Sequence, residues 1–300
     1  MMKSKRKNIE KHKEIVAAFL FLSPALVGFV IFIIGPLFTS FGLSLVKWDI
    51  INKMKFVGLS NFKTLFHDSR LLIVYLTTFK FILYVVSLNL IIALVLALGI
   101  NTKMSKGFRY LFRTVYFFPV ITAAASIAII WQFFLHKDFG PINYYLSKIG
   151  IQRISWLGSS QWALISVSFV YVWKHVGFNM ILFLAGLQNI PSQLYEVASI
   201  DGAGPFRKFI SITLPMLSPT LFFALVMAFI NGFQAFDLPY ILTGGGPGDA
   251  SRVIVMYLYE NGFRFMRMGY ASTISLSLFL FILALTLIQM QLRKKWVFYG

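Results

Sequence analysis

The chain has 300 residues, of which 58% are hydrophobic and only 13% charged, and its mean hydropathy is +0.76. A soluble domain carries about twice that charged fraction, so the composition excludes a water-soluble fold and makes lipid the solvent for most of the chain. The absence of cysteine excludes disulfides, thiolate metal sites and cysteine nucleophiles, and the net charge of +18 sits beside apolar segments instead of on one basic face. That distribution suits anionic lipid headgroups and argues against nucleic acid.

Six apolar segments follow in chain order: 17–46, 71–100, 111–135, 162–187, 217–242 and 269–292. Each exceeds the roughly 20 residues that cross the hydrocarbon core as a helix. The expected class is therefore an all-α integral membrane protein with six transmembrane helices. Lys3, Lys5, Arg6, Lys7, Lys11 and Lys13 precede the first segment. That apolar run is too long for a cleaved leader, so it reads as an uncleaved first helix. The expected organisation is a basic amino terminus (1–16), one membrane domain (17–292) and a short tail (293–300).

Lysine and arginine in the flanks place both termini in the cytoplasm, with the 101–110 loop (Lys103, Lys106, Arg109) and the 188–216 loop on the same side. Lys47, Lys53, Lys55, Lys63 and Arg70 in the first outer loop run against that bias. Pro24, Gly28, Gly35, Pro36, Pro219 and Pro239 read as kinks that neighbouring helices accommodate. Lys80 reads as a snorkelling side chain. In the fourth segment Lys174 needs a partner or water: it either pairs with an acid on another subunit or lines a cavity with Phe178 and Asn179. The four histidines do not cluster with carboxylates at metal spacing. No nucleophile–base set is visible either, so no catalytic or metal site is expected.

Residues 191–215 read PSQLYEVASIDGAGPFRKFISITLP, a polar island between apolar runs. Pro191-Ser192 reads as a helix entry with Ser192 as N-cap. The helix runs from Gln193 to Ile200 and ends at Asp201-Gly202, where glycine supplies a left-handed turn. Pro205 opens a second helix over 205–213, and Pro215 is expected to stop it. The pattern Glu196-Val197-Ala198, Gly202 and Ile212-Thr213-Leu214-Pro215 resembles the EAA motif of the membrane subunits of ATP-binding-cassette importers, with both spacings intact and Val197 in place of an alanine. The segments VGLSNFKTLF (57–66) and LTGGGPGDAS (242–251) extend the likeness to the carbohydrate-uptake group.

The resemblance implies the binding-protein-dependent transport permease (MetI-like) fold. It also implies a cytoplasmic coupling helix in which Glu196, Val197, Ala198, Asp201, Gly202, Ala203 and Gly204 dock on an ATP-hydrolysing subunit. The implied partners are a second permease, two ATPase subunits that bind ATP and Mg2+, an extracytoplasmic sugar-binding protein and membrane lipid, in a prokaryotic cell membrane. No GxxxxGK[ST] occurs, so this chain is expected to hold no ATPase site and no cofactor of its own. The implied activity is sugar import by alternating access, with an ion-coupled secondary transporter as the alternative.

In the fifth segment Asn231, Gln234 and Asp237 recur every three residues. On a continuous helix they cover about a third of its circumference. With Phe233 and Phe236 beside them they suit sugar hydroxyls and sugar faces, or else they hydrogen-bond a partner helix.

Overall fold

The computed structural model describes residues 2–102 and 104–298, with side chains from residue 14 onward. Lys103, the end of the tail, and the side chains of the basic amino-terminal cluster (Lys3 to Lys13) lie outside the described residues. The chain divides into two compact units, 1–67 with 261–276, and 68–260 with 277–300.

In the first unit, α1 (Met2–Phe29) continues through a π turn (Val30–Ile34) into α2 (Gly35–Ser44). Pro24 is carried inside α1 without a break. A two-residue antiparallel pair joins β1 (Val46–Lys47) to β2 (Lys55–Phe56) and leads to α3 (Ser60–His67). Asn61 ties this corner by donating to the carbonyls of Ser44 (2.8 Å) and Val46 (2.9 Å). At Gly269 a Cβ would strike the Val46 carbonyl, so only glycine admits this approach.

The second unit begins with α4 (Ser69–Ile100), whose N-cap Asp68 accepts from the Arg70 and Leu71 amides. There follow α5 (Lys106–Ile121), α6 (Ala124–Phe134), α7 (Pro141–Lys148) and α8 (Ala163–Gln188). Next come α9 (Ser192–Ile200), α10 (Pro205–Lys208), a π turn (Phe209–Thr213), α11 (Leu214–Phe233), α12 (Asp237–Thr243) and α13 (Ile254–Tyr259). Finally α14 (Met268–Arg293) begins in the first unit and ends in the second. Helix α8 is the hub: Met180 and Phe183 are fully buried among Ala93 and Ala97 of α4 and Leu217 and Ala224 of α11. Small residues set these distances, since a Cβ on Gly186 would meet Leu217 and Thr220, and one on Gly232 would meet Ile82.

Among the described residues five helical stretches are long and apolar enough to cross a membrane: 14–44, 69–100, 163–188, 205–233 and 268–293. Four of them match expected segments to within a few residues. The other two expectations need correction. The segment at 111–135 is not one helix but the pair α5 and α6, bent by 101° at Thr122-Ala123. The segment at 217–242 begins earlier, at Pro205, and breaks at Gln234-Ala235-Phe236 before α12. Pro215 therefore does not stop a helix. The π turn just ahead of it widens the backbone, and the helix carries the proline through. The half-helices beyond the two breaks hold each other, as Gln132 of α6 donates to the Ile241 carbonyl of α12.

Candidate functional site

A cavity of about 470 Å³, with several polar side chains in a largely apolar wall, lies beside the two breaks, within the size range of small-molecule sites. Val120 and Ala124 come from the α5–α6 bend; Asn231, Gln234, Phe236 and Asp237 come from the α11–α12 break; Lys174, Phe178 and Asn179 come from α8. Six expected pathway residues (Asn231, Gln234, Asp237, Lys174, Phe178 and Asn179) thus meet at one cavity. They do so across a break instead of along a continuous stripe, with Gln234 capping the end of α11 and Asp237 opening α12. Phe233 is the exception. It is buried in the core, edge-on to Phe281 at 5.1 Å, because the turn at 234 rotates it away from the opening. Phe236 faces the cavity in its place.

Lys174 needs no acid from another subunit. Its Nζ donates to the carbonyls of Pro119 (3.0 Å), Val120 (3.2 Å) and Thr122 (2.7 Å) at the α5–α6 bend. A helix end leaves its last carbonyls without partners, and in lipid such groups must be met inside the protein. One ammonium with three hydrogens meets three carbonyls here. Gly177, one turn later on α8, lets the α5 backbone come close enough for this. A Cβ there would sit 2.5 Å from the Tyr116 carbonyl carbon and 3.0 Å from Phe117 Cα.

Two polar cavity residues escaped the sequence reading, Asn89 and Tyr171, and a third, His175, was read only as a histidine outside any metal cluster. Asn89 accepts from Asn179 Nδ2 at 2.6 Å. The Tyr171 hydroxyl donates to the Asn231 carbonyl at 3.2 Å. His175 donates from Nδ1 to the Tyr171 carbonyl at 2.9 Å, and its ring stacks on that tyrosine. A lone amide within an apolar run was the available signal for Asn89.

At the 191–215 island α9 starts at Ser192, with Pro191 in the N-cap position and no side-chain cap, so the expected serine cap is not formed. Gly202 takes φ +74°, the left-handed shape expected of it. Lys208 Nζ donates to Ser199 Oγ (2.6 Å), and Tyr195 and Thr213 share a hydroxyl contact (3.0 Å), so α9 folds back on the foot of the fifth span. Nothing on α9 is buried. Ile200 is 86% exposed, Phe206 75% and Val197 57%, an apolar surface on a helix–turn–helix knob. Glu196 and Asp201 are exposed beside it.

The glycine-rich loop after α12 is anchored rather than loose. Asp249 accepts from Arg70 Nε and Nη2 (both 2.9 Å) and from Arg252, which also pairs with Glu260. The Arg70 guanidinium holds the Asp249 carboxyl below the usual aspartate range, with Arg252 adding to the effect. A depressed folded value contributes stability that is present above the unfolded value of about 3.9 and is lost as pH falls through the folded one. Acid unfolding of the wild type is therefore expected to show a component below about pH 4 that Asp249→Asn removes. Tm measured from pH 3 to 7 checks this, and identical acid limbs for the two proteins would refute it.

Two broken spans around a cavity that carries amides and a carboxylate, with a knob of exposed apolar residues at the foot of one span, define a multi-pass membrane transport subunit. The chain belongs to the family described as the binding-protein-dependent transport system inner membrane component, whose model matches residues 89–297. It is 39% identical over 285 residues to the probable ABC transporter permease protein YurN of Bacillus subtilis, covering 93% of this chain and 96% of that one. It is 35% identical over 268 residues to the trehalose/maltose transport system permease protein MalF of Thermococcus litoralis, covering 89% and 90%. Among solved structures, a chain of a bacterial alginate ABC transporter in complex with an alginate pentasaccharide-bound periplasmic protein superposes with a TM-score of 0.83 at 25% identity, over 95% of this chain and 96% of that one. These likenesses favour the importer over the ion-coupled alternative.

Proposed function

We propose that this chain is the membrane-spanning permease subunit of an ATP-binding-cassette importer that moves a sugar across a prokaryotic cell membrane by alternating access. The observation that carries the reading is the exposed α9–Gly202–α10 knob, which keeps the spacing of the coupling motif and joins directly to the span that lines the cavity. A second permease completes the pathway, and two ATPase subunits hold ATP and Mg2+ and receive the knobs. An extracytoplasmic binding protein delivers the cargo. Closure of the ATPase pair moves the knob. Because α10, the π turn and α11 form one helix from Pro205 to Phe233, that motion reaches Asn231 and Gln234 with no flexible joint between. This chain performs no bond chemistry. Its basic flanks support cytoplasmic termini, and the trehalose/maltose and alginate systems among its relatives support a carbohydrate cargo.

Single cysteines at Glu196 or Val197 should crosslink to the ATPase subunit in a nucleotide-dependent way. A normally assembled complex with no ATP-sensitive crosslink would sink the docking assignment. At the cavity, Asn231→Ala and Gln234→Ala should each lower uptake or shift sugar preference about tenfold, the scale of one or two lost hydrogen bonds, with assembly intact. Unchanged uptake kinetics in both variants would remove them from the pathway.

A further inference from the structure

We infer that the cavity accepts an uncharged, hydroxyl-rich solute and excludes anionic ones, and that Lys174 is a positioning residue instead of a ligand for cargo. This rests on the reading of the cavity as the transport path.

Among the described residues that line the cavity, Lys174 is the only lysine or arginine. It is 7% exposed, and its ammonium faces the carbonyls of Pro119, Val120 and Thr122 at 2.7–3.2 Å. An ammonium has three hydrogens, and these contacts use all three. The end of α5 also carries the negative pole of its helix dipole, which offsets the charge locally. His175, the other basic ring at the cavity, turns Nδ1 onto the Tyr171 carbonyl and stacks on that tyrosine.

Asp237 differs from both. It is exposed on the cavity wall, and no hydrogen bond or ion pair of its carboxylate is present among the described residues. An ionised carboxylate only accepts. The Lys174 ammonium acts on Asp237 through space without an ion pair, so an entering phosphate or carboxylate meets a carboxylate whose acceptors are free and no ammonium hydrogen left to bind it. A neutral polyol meets an acceptor at Asp237 and amides at Asn231 and Gln234, which both donate and accept.

The chain has no cysteine, so a single one reports the local potential directly. The experiment places Ala228→Cys, on the cavity wall, in the assembled importer in membrane vesicles. It then compares labelling of this chain by cationic, anionic and neutral methanethiosulfonates, each rate divided by that for a small thiol in solution. The expected cationic-to-anionic ratio is roughly tenfold or more, and Asp237→Asn should bring it close to one. An anionic reagent reacting as fast as the cationic one overturns the inference, and so does a ratio that Asp237→Asn leaves unmoved. If the neutral reagent fails to label, the transport-path reading itself falls and takes the inference with it. For Lys174, the readout is a cysteine at Ala124, beside the bend. Lys174→Met should change its labelling rate and Lys174→Arg should restore it in part. An unchanged rate in Lys174→Met overturns the positioning role.

Discussion

Gly177→Ala is expected to remove most of the assembled protein from the membrane. The added methyl would overlap the Tyr116 carbonyl and press on Phe117 Cα. Both are backbone atoms of a helix and cannot rotate aside as a side chain would, so α5 and α8 must separate. Over-packing of a core costs about 1–3 kcal/mol, and occasionally more; the rigidity of both partners puts this case at the upper end. Separation also draws the α5 carbonyls away from Lys174, three residues earlier on α8. Gly28→Ala is the control, since no atom lies within 4 Å of the added Cβ. Size-exclusion profiles and Tm of the detergent-extracted complex decide the matter. Wild-type yield and Tm for Gly177→Ala would refute the close approach of α5 and α8.

Lys174→Met should be nearly as damaging, for a different reason. Methionine keeps the length and apolar stem but offers no donor, so the carbonyls of Val120 and Thr122 lose the ammonium and that of Pro119 is left with only the Thr122 amide at 3.3 Å. A buried polar group left unmatched costs about 1–3 kcal/mol. Water from the cavity can reach part of the bend, so the expected total is roughly 3 kcal/mol instead of the full sum. Lys174→Arg should recover part of it, because a planar guanidinium cannot converge on three carbonyls as a compact ammonium does. The measurement is again Tm and yield, with uptake per assembled complex alongside. A Lys174→Met protein as stable as the wild type would show that the bend does not depend on this contact.

These two residues also mark where the sequence stops being legible. The spans were readable because lipid demands about 20 apolar residues in a row, and such runs need no tertiary context to recognise. The bend at Thr122-Ala123 left only Pro119 as a trace, and a proline alone reads as a kink that neighbours tolerate. What turns it into a sharp break is an ammonium and a bare backbone brought from α8, more than 50 residues away in the chain. In the fifth span the three-residue spacing of Asn231, Gln234 and Asp237 assumed one unbroken helix. The three do converge on one cavity, but through a break that sends Phe233 into the core and turns Phe236 outward. Asn89 shows the same limit, since a single amide in an apolar helix signals a polar neighbour without naming Asn179.

By itself, then, the sequence determined that the chain crosses a membrane and that a glycine turn at Gly202 builds a knob at 191–215, because apolar run length and left-handed backbone preference are local properties. The tertiary structure alone decided where the helices break, which residues face the cavity and what Lys174 holds. Those outcomes depend on which carbonyls lose their partners, and only the packing of α5 against α8 brings a donor to them.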